Sequence, residues 1–249
     1  MVALVGIGHS HLHCVTRAYE ARRAVLPGLR YVQMCLLDPP YARNPEPVYA
    51  QELADLLKTE PQVCVFMFCA GSEHVRFGLI NQPRPFDFIA PDRPDDPLVA
   101  DEVVPYDMMR DLTRPGIVTK IIADIRQAAP LPLVQLSPPP PIRDAAFIRG
   151  KVTDAAMAAD LARWGVAPAA FRARVWRVCM ATLREVCEAN DVAFLPAPAA
   201  AVDDDFCLAE RFASDFVHAN AGYGDLLLDQ LLARVAVAFP DAKLAGPHQ

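Results

Sequence analysis

The chain has 249 residues, 53% hydrophobic and 22% charged, with a net charge of −6. Such a composition excludes a disordered chain, and no apolar run approaches the ~18 residues of a membrane-spanning helix. A pI near 5.5, with no Lys/Arg run longer than two, argues against a nucleic-acid groove.

Met1 to Gly8 is apolar but short. It has neither a basic leader nor a small-residue cleavage site, so it does not read as a signal peptide. Seven cysteines, an odd number without a CxxC pair, read as buried thiols of a reducing compartment, and a cytoplasmic location is expected. The 24 prolines are about twice the usual ~5% share.

Val2 to Ile7 is a β-branched apolar run ended by a glycine, and a helix is predicted from about Ser10 to Val25. Tyr31 to Leu37 reads as a second strand, closed by Asp38-Pro39-Pro40. Val48 to Lys58 carries Leu53, Leu56 and Leu57 at helical spacing, and Val63 to Cys69 is a third strand. Residues 81 to 105 hold six prolines and six acids and read as a long excursion. Tyr106 to Ala128 is helical with a break at Pro115-Gly116, and Leu131 to Leu136 is a fourth strand ended by Pro138 to Pro141. The Pro-rich stretch at about 137–168 reads as a loop. A long helix follows over Pro168 to Asn190, then a short strand at Val192 to Leu195 and a last helix over Gly222 to Phe239.

Continuous apolar strands alternating with amphipathic helices predict a doubly wound α/β sheet of about five parallel strands. One domain is expected over residues 1–249. Ligands of such folds sit beyond the C-terminal strand ends. Those ends carry Gly8-His9-Ser10-His11, Asp38-Pro39, Gly71-Ser72-Glu73-His74 and Ser137-Pro138.

Ser10, directly after the first strand, stands where a nucleophile meets the N–H groups of a helix start. A serine needs a base, and a histidine oriented by a carboxylate supplies one near neutral pH. Asp215-Phe216-Val217-His218 offers both partners three residues apart, before Gly222-Tyr223-Gly224 and the last helix. Ser10 alone also suits a helix N-cap.

With these blocks in order, the chain resembles the SGNH hydrolases, also called GDSL-like esterases. Leu4 to Ser10 is similar to their first block, with Gly-His-Ser where Gly-Asp-Ser is usual. Ala70 to His74 resembles the third block, and Ser214 to Gly224 the last. The resemblance implies a flavodoxin-like three-layer α/β/α sandwich and ester hydrolysis or acyl transfer through an acyl-serine. It implies Ser10, His218 and Asp215 as the triad. Gly71, Ser72, Glu73, His74 and His9 become oxyanion or substrate-binding candidates, with no metal or organic cofactor. The usual Asp is His9, the oxyanion Asn is replaced by Ser72, and no glycine stands between Leu29 and Ala70, where the second block places one.

The expected partner is a small-molecule ester, with a small acyl group on a sugar or other polar alcohol as the guess, and neither nucleic acid nor membrane. The walls of its pocket are expected from 81–105 and 138–168. Two other readings stand beside this one. His9, His11 and His13 could serve a metal-dependent hydrolase together with His74 and an acid. The altered oxyanion blocks would also suit a degenerate member that binds without turnover.

Overall fold

The computed structural model describes residues 1–42, 47–70, 72–129 and 131–244, and the backbone alone of Ser72. Strand β1 (Val2–Gly8) lies between β2 (Leu29–Cys35) and β3 (Val63–Phe68), and β6 (Leu133–Leu136) and β7 (Ala193–Leu195) extend the sheet beyond β3. The order β2-β1-β3-β6-β7, parallel throughout, is a flavodoxin-like order: the run of strands and helices implies the doubly wound parallel sheet, and the family resemblance implies its flavodoxin-like form. It reverses direction at β1/β3, so the chain leaving β1 enters the crevice where such folds bind ligands.

The strands read as unbroken apolar runs because both faces are covered. Side chains alternate: Ala3, Val5 and Ile7 join Val63, Val65 and Met67 on one face, while Val2 and Leu4 join Cys64, Phe66 and Phe68 on the other. The first face is covered by α2 (Val48–Leu57), α4 (Tyr106–Thr113), α5 (Gly116–Ala128) and α8 (Ala169–Ala189). Leu53, Met109, Ile121 and Val175 are among the residues these helices bury there. Helices α1 (Leu12–Arg22) and α9 (Ala221–Ala238) cover the second face through Leu12, Val15, Leu227, Leu231 and Val235. No helix among the described residues is long and apolar enough to cross a membrane.

Some expected boundaries move. The second strand lies at Leu29–Cys35 rather than Tyr31–Leu37, because its register is set by β1, with Val2 opposite Leu29 and Gly8 opposite Cys35. The 137–168 stretch is not a loop throughout. It contains α6 (Ala145–Lys151) and α7 (Ala155–Trp164), capped by Asp144 on the Ala146 N–H at 2.6 Å and by Asp154 on the Met157 N–H at 2.8 Å. The 81–105 excursion contains a two-stranded parallel ribbon, β4 (Phe86–Asp87) with β5 (Glu102–Val103). A short helix not expected from the sequence, α3 (Ser72–Gly78), follows β3.

Helices α1 and α9 meet at Gly224, where an added Cβ would collide with the Cys14 carbonyl oxygen. Arg22 of α1 reaches Asp225 at 2.9 Å and Asp229 at 2.6 Å across the same crossing. The Gly224→Ala variant must therefore push the helices apart, at a cost of ~1–3 kcal/mol in overpacking. We expect a lowered urea midpoint; an unchanged midpoint would mean that the crossing yields freely.

Candidate active site

Three elements converge beyond the C-terminal end of β1. Gly8 leaves the strand so close to β3 that a Cβ there would strike the Phe68 carbonyl, and the His9 N–H donates to that carbonyl at 3.2 Å. Ser10 and His11 form the turn before α1, whose N-cap is His11, without a side-chain capping bond. The helix thus starts two residues later than expected, and Ser10 does not act as its cap. Its hydroxyl goes elsewhere: Oγ lies 2.7 Å from His218 Nε2. Among the described residues the Ser10 N–H has no acceptor, so one backbone donor next to Oγ is free.

His218 and Asp215 sit in a turn held by its own backbone. The Ser214 N–H donates to the His218 carbonyl at 2.9 Å. Asp215 Oδ1 accepts from the Val217 N–H at 2.8 Å and the His218 N–H at 2.7 Å, and Oδ2 lies 2.8 Å from His218 Nδ1. Asn220 then caps α9, accepting from Gly222 at 2.9 Å and Tyr223 at 3.3 Å, while its amide donates to the Arg211 carbonyl at 2.7 Å. A carboxylate only accepts, so it selects the tautomer with the proton on Nδ1. Nε2 is then free to accept from the Ser10 hydroxyl. Burial opposes ionisation of Asp215, but the bonds from the His218 ring and from the His218 and Val217 backbone outweigh it and hold its pKa at about 2.

The other histidines divide. His11 is buried, its ring centroid 5.1 Å from that of His218 and 5.4 Å from that of Phe68. Burial, aided by the neighbouring His218, His74 and His9, lowers its pKa to about 3. His74, in α3, is also buried, which lowers its pKa to about 4. Both are therefore neutral near pH 7. Burial lowers the pKa of His9 too, and Glu73 works against that. Gly71 lies outside the described residues, as does the Ser72 side chain. Ala70, at the end of β3, adopts a left-handed φ of 74°, unusual for a residue with a Cβ.

The histidine trio does not assemble into a metal centre. Among the described residues, the one group of three metal-ligating side chains contains His13 alone of the trio, with Cys35 and Asp38. The contact of His11 with His218 and the grouping of His13 have no counterpart in the sequence reading, since nothing local pairs such distant positions.

At the ends of β6 and β7 lies a cavity of about 400 Å³, walled by Tyr106, Ser137, Trp176, Phe194 and Phe206, with Asp92 from the 81–105 excursion. Its walls do not include the 138–168 stretch, nor Ser10, Asp215 or His218.

No protein-family model matches the chain, and no curated protein matches it by sequence. Solved structures do. Est24, a carbohydrate acetylesterase from Sinorhizobium meliloti, is similar over 96% of this chain and 100% of its own, at 12% identity and a TM-score of 0.50. A GDSL-like lipase from Bacteroides thetaiotaomicron is similar over 95% of this chain and 88% of its own, at 9% identity and a TM-score of 0.46. What the chain shares with Est24 at that identity is the fold, an α/β sandwich around a parallel, doubly wound sheet.

Proposed function

We propose that the protein is a serine hydrolase of SGNH type, cleaving or transferring an acyl ester through an acyl-serine. One observation carries the reading: Ser10 Oγ, the His218 ring and the Asp215 carboxylate lie in a continuous relay of 2.7 and 2.8 Å. Ser10 Oγ attacks the ester carbonyl while its proton passes to His218 Nε2. Asp215 holds the ring and stabilises the imidazolium that forms. The oxyanion of the tetrahedral intermediate takes the free Ser10 N–H, with Gly71 or Ser72 as the second donor. His218 then protonates the leaving alcohol, and water repeats the sequence on the acyl-enzyme. The buried, neutral His11 and His74 add no competing positive charge, and we assign His9 and Glu73 to substrate contact. None of these steps calls on a metal or organic cofactor. For the substrate we propose a small acyl group on a sugar or other polar alcohol; the carbohydrate acetylesterase of like fold is in keeping with that choice.

A fluorophosphonate probe tests the nucleophile without the natural substrate. We expect the wild type to be labelled stoichiometrically and to hydrolyse short p-nitrophenyl esters, and the Ser10→Ala variant to do neither. A wild type that takes no label and shows no Ser10-dependent turnover would defeat the proposal in favour of a binding protein.

A further inference from the structure

Among the described residues, one cluster apart from the Ser10 relay brings three metal-ligating side chains together from separate elements. His13 in the first turn of α1, Cys35 at the end of β2 and Asp38 in the turn that follows place a ring nitrogen, a sulfur and a carboxylate oxygen within 4.8 Å of one another. We propose that this is a zinc-binding site, with His13, Cys35 and Asp38 as its three protein ligands and water completing a tetrahedron.

The donor set selects the metal. Calcium and magnesium take oxygen ligands, whereas one imidazole, one thiolate and one carboxylate suit zinc. The local backbone brings two of the three ligands together. Cys35-Leu36-Leu37-Asp38 is a tight turn, with the Asp38 N–H on the Cys35 carbonyl at 3.0 Å. This spacing sets two ligands of one turn, Cys-x-x-Asp, against a third from a neighbouring helix.

The burial fits entry from solvent. Cys35 is buried at the base, while His13 and Asp38 are exposed above it. Binding forms one metal–sulfur bond as the Cys35 S–H proton passes to the buffer; His13 binds as the neutral ring. No electron moves, so no co-reactant is required. The metal would tie the turn after β2 to a residue three positions beyond Ser10. The site is separate from the ester chemistry, and its test does not depend on turnover.

The experiment is a cobalt(II) titration of the full chain, reduced and stripped with chelator, followed by displacement with zinc. The expected result is one equivalent bound, a thiolate-to-cobalt charge-transfer band, and the intense visible bands of a tetrahedral site. Cys35→Ser abolishes the charge-transfer band. His13→Ala and Asp38→Ala, exposed positions where folding is not at stake, each weaken binding by more than the roughly 10–100-fold loss typical of an outer partner. Zinc raises the melting midpoint of the wild type and leaves that of His13→Ala unmoved. Absence of the band in the wild type, its survival in Cys35→Ser, or an equal zinc shift in His13→Ala would each overturn the assignment.

Discussion

Replacing Asp215 by Asn is expected to lower kcat on a p-nitrophenyl ester ~10⁴-fold while the protein remains folded. The size of the effect follows from proton bookkeeping. Asn keeps an oxygen, which can still accept from the Val217 and His218 N–H groups at 2.8 and 2.7 Å and so preserve the turn. Its amide nitrogen then faces His218 Nδ1, where Asp215 Oδ2 stands at 2.8 Å. Two donors cannot share that contact, so the ring moves its proton to Nε2, the atom that must accept from Ser10. On the proposed mechanism, Ser10 loses its base without losing its place. Fluorophosphonate labelling should slow in parallel, and a loss of less than ~10-fold would remove Asp215 from the relay.

The same carboxylate has a signature in stability. Its folded pKa of about 2 lies below the ordinary value of ~3.9 for Asp. A depressed folded pKa contributes stability above the unfolded value, and that contribution disappears as pH falls from ~4 towards 2. Denaturant midpoints of wild type and Asp215→Asn should therefore converge across that window, by a modest amount because the side chain is partly exposed.

The sheet and the relay were legible for different reasons. Val2 to Ile7 and Val63 to Cys69 are buried on both faces, so their apolar runs announce strands without any knowledge of partners. Ser10, Asp215 and His218 were legible because each stands in a local pattern, the first after a strand, the others three residues apart before a helix. What stayed hidden was set by contacts between distant positions or masked by composition. Asp144-Ala145-Ala146 and Asp154-Ala155-Ala156 are helix starts, but the prolines around them read as loop. Ser10 looks like a cap until His218 is placed opposite it. His13, Cys35 and Asp38 come together through the register of β1 on β2, and no periodicity in the chain encodes that register.

The largest expected effect on stability lies in the Pro-rich excursion and comes from a buried ion pair. Asp87, fully buried, meets Arg174 of α8, which is 1% exposed. Asp87 also accepts from the N–H groups of Phe88 and Val99, both at 2.8 Å, and Arg174 donates to the Pro97 carbonyl at 2.9 Å. Two side chains thus gather four points of an otherwise proline-stiffened segment onto one helix. Arg177 adds Asp92 and Asp96, each at 3.1 Å, one turn further along. The pair is no proof of a net gain over apolar packing, since desolvating both charges is costly. Breaking it is another matter, because Arg174→Met leaves Asp87 charged and buried. That cost is ~3–5 kcal/mol, and at ~2–4 °C per kcal/mol for a chain of this size the melting midpoint should fall by roughly 6–20 °C. Adding Asp87→Asn removes the stranded charge yet keeps an acceptor for a backbone N–H, so the double variant should recover part of the loss. Limited chymotrypsin digestion should cut first at Phe88, buried in the wild type and followed by Ile89, in Arg174→Met. A single variant that melts within ~2 °C of wild type would mean that the prolines alone hold the excursion, and that Asp87 is reached by water when Arg174 is removed.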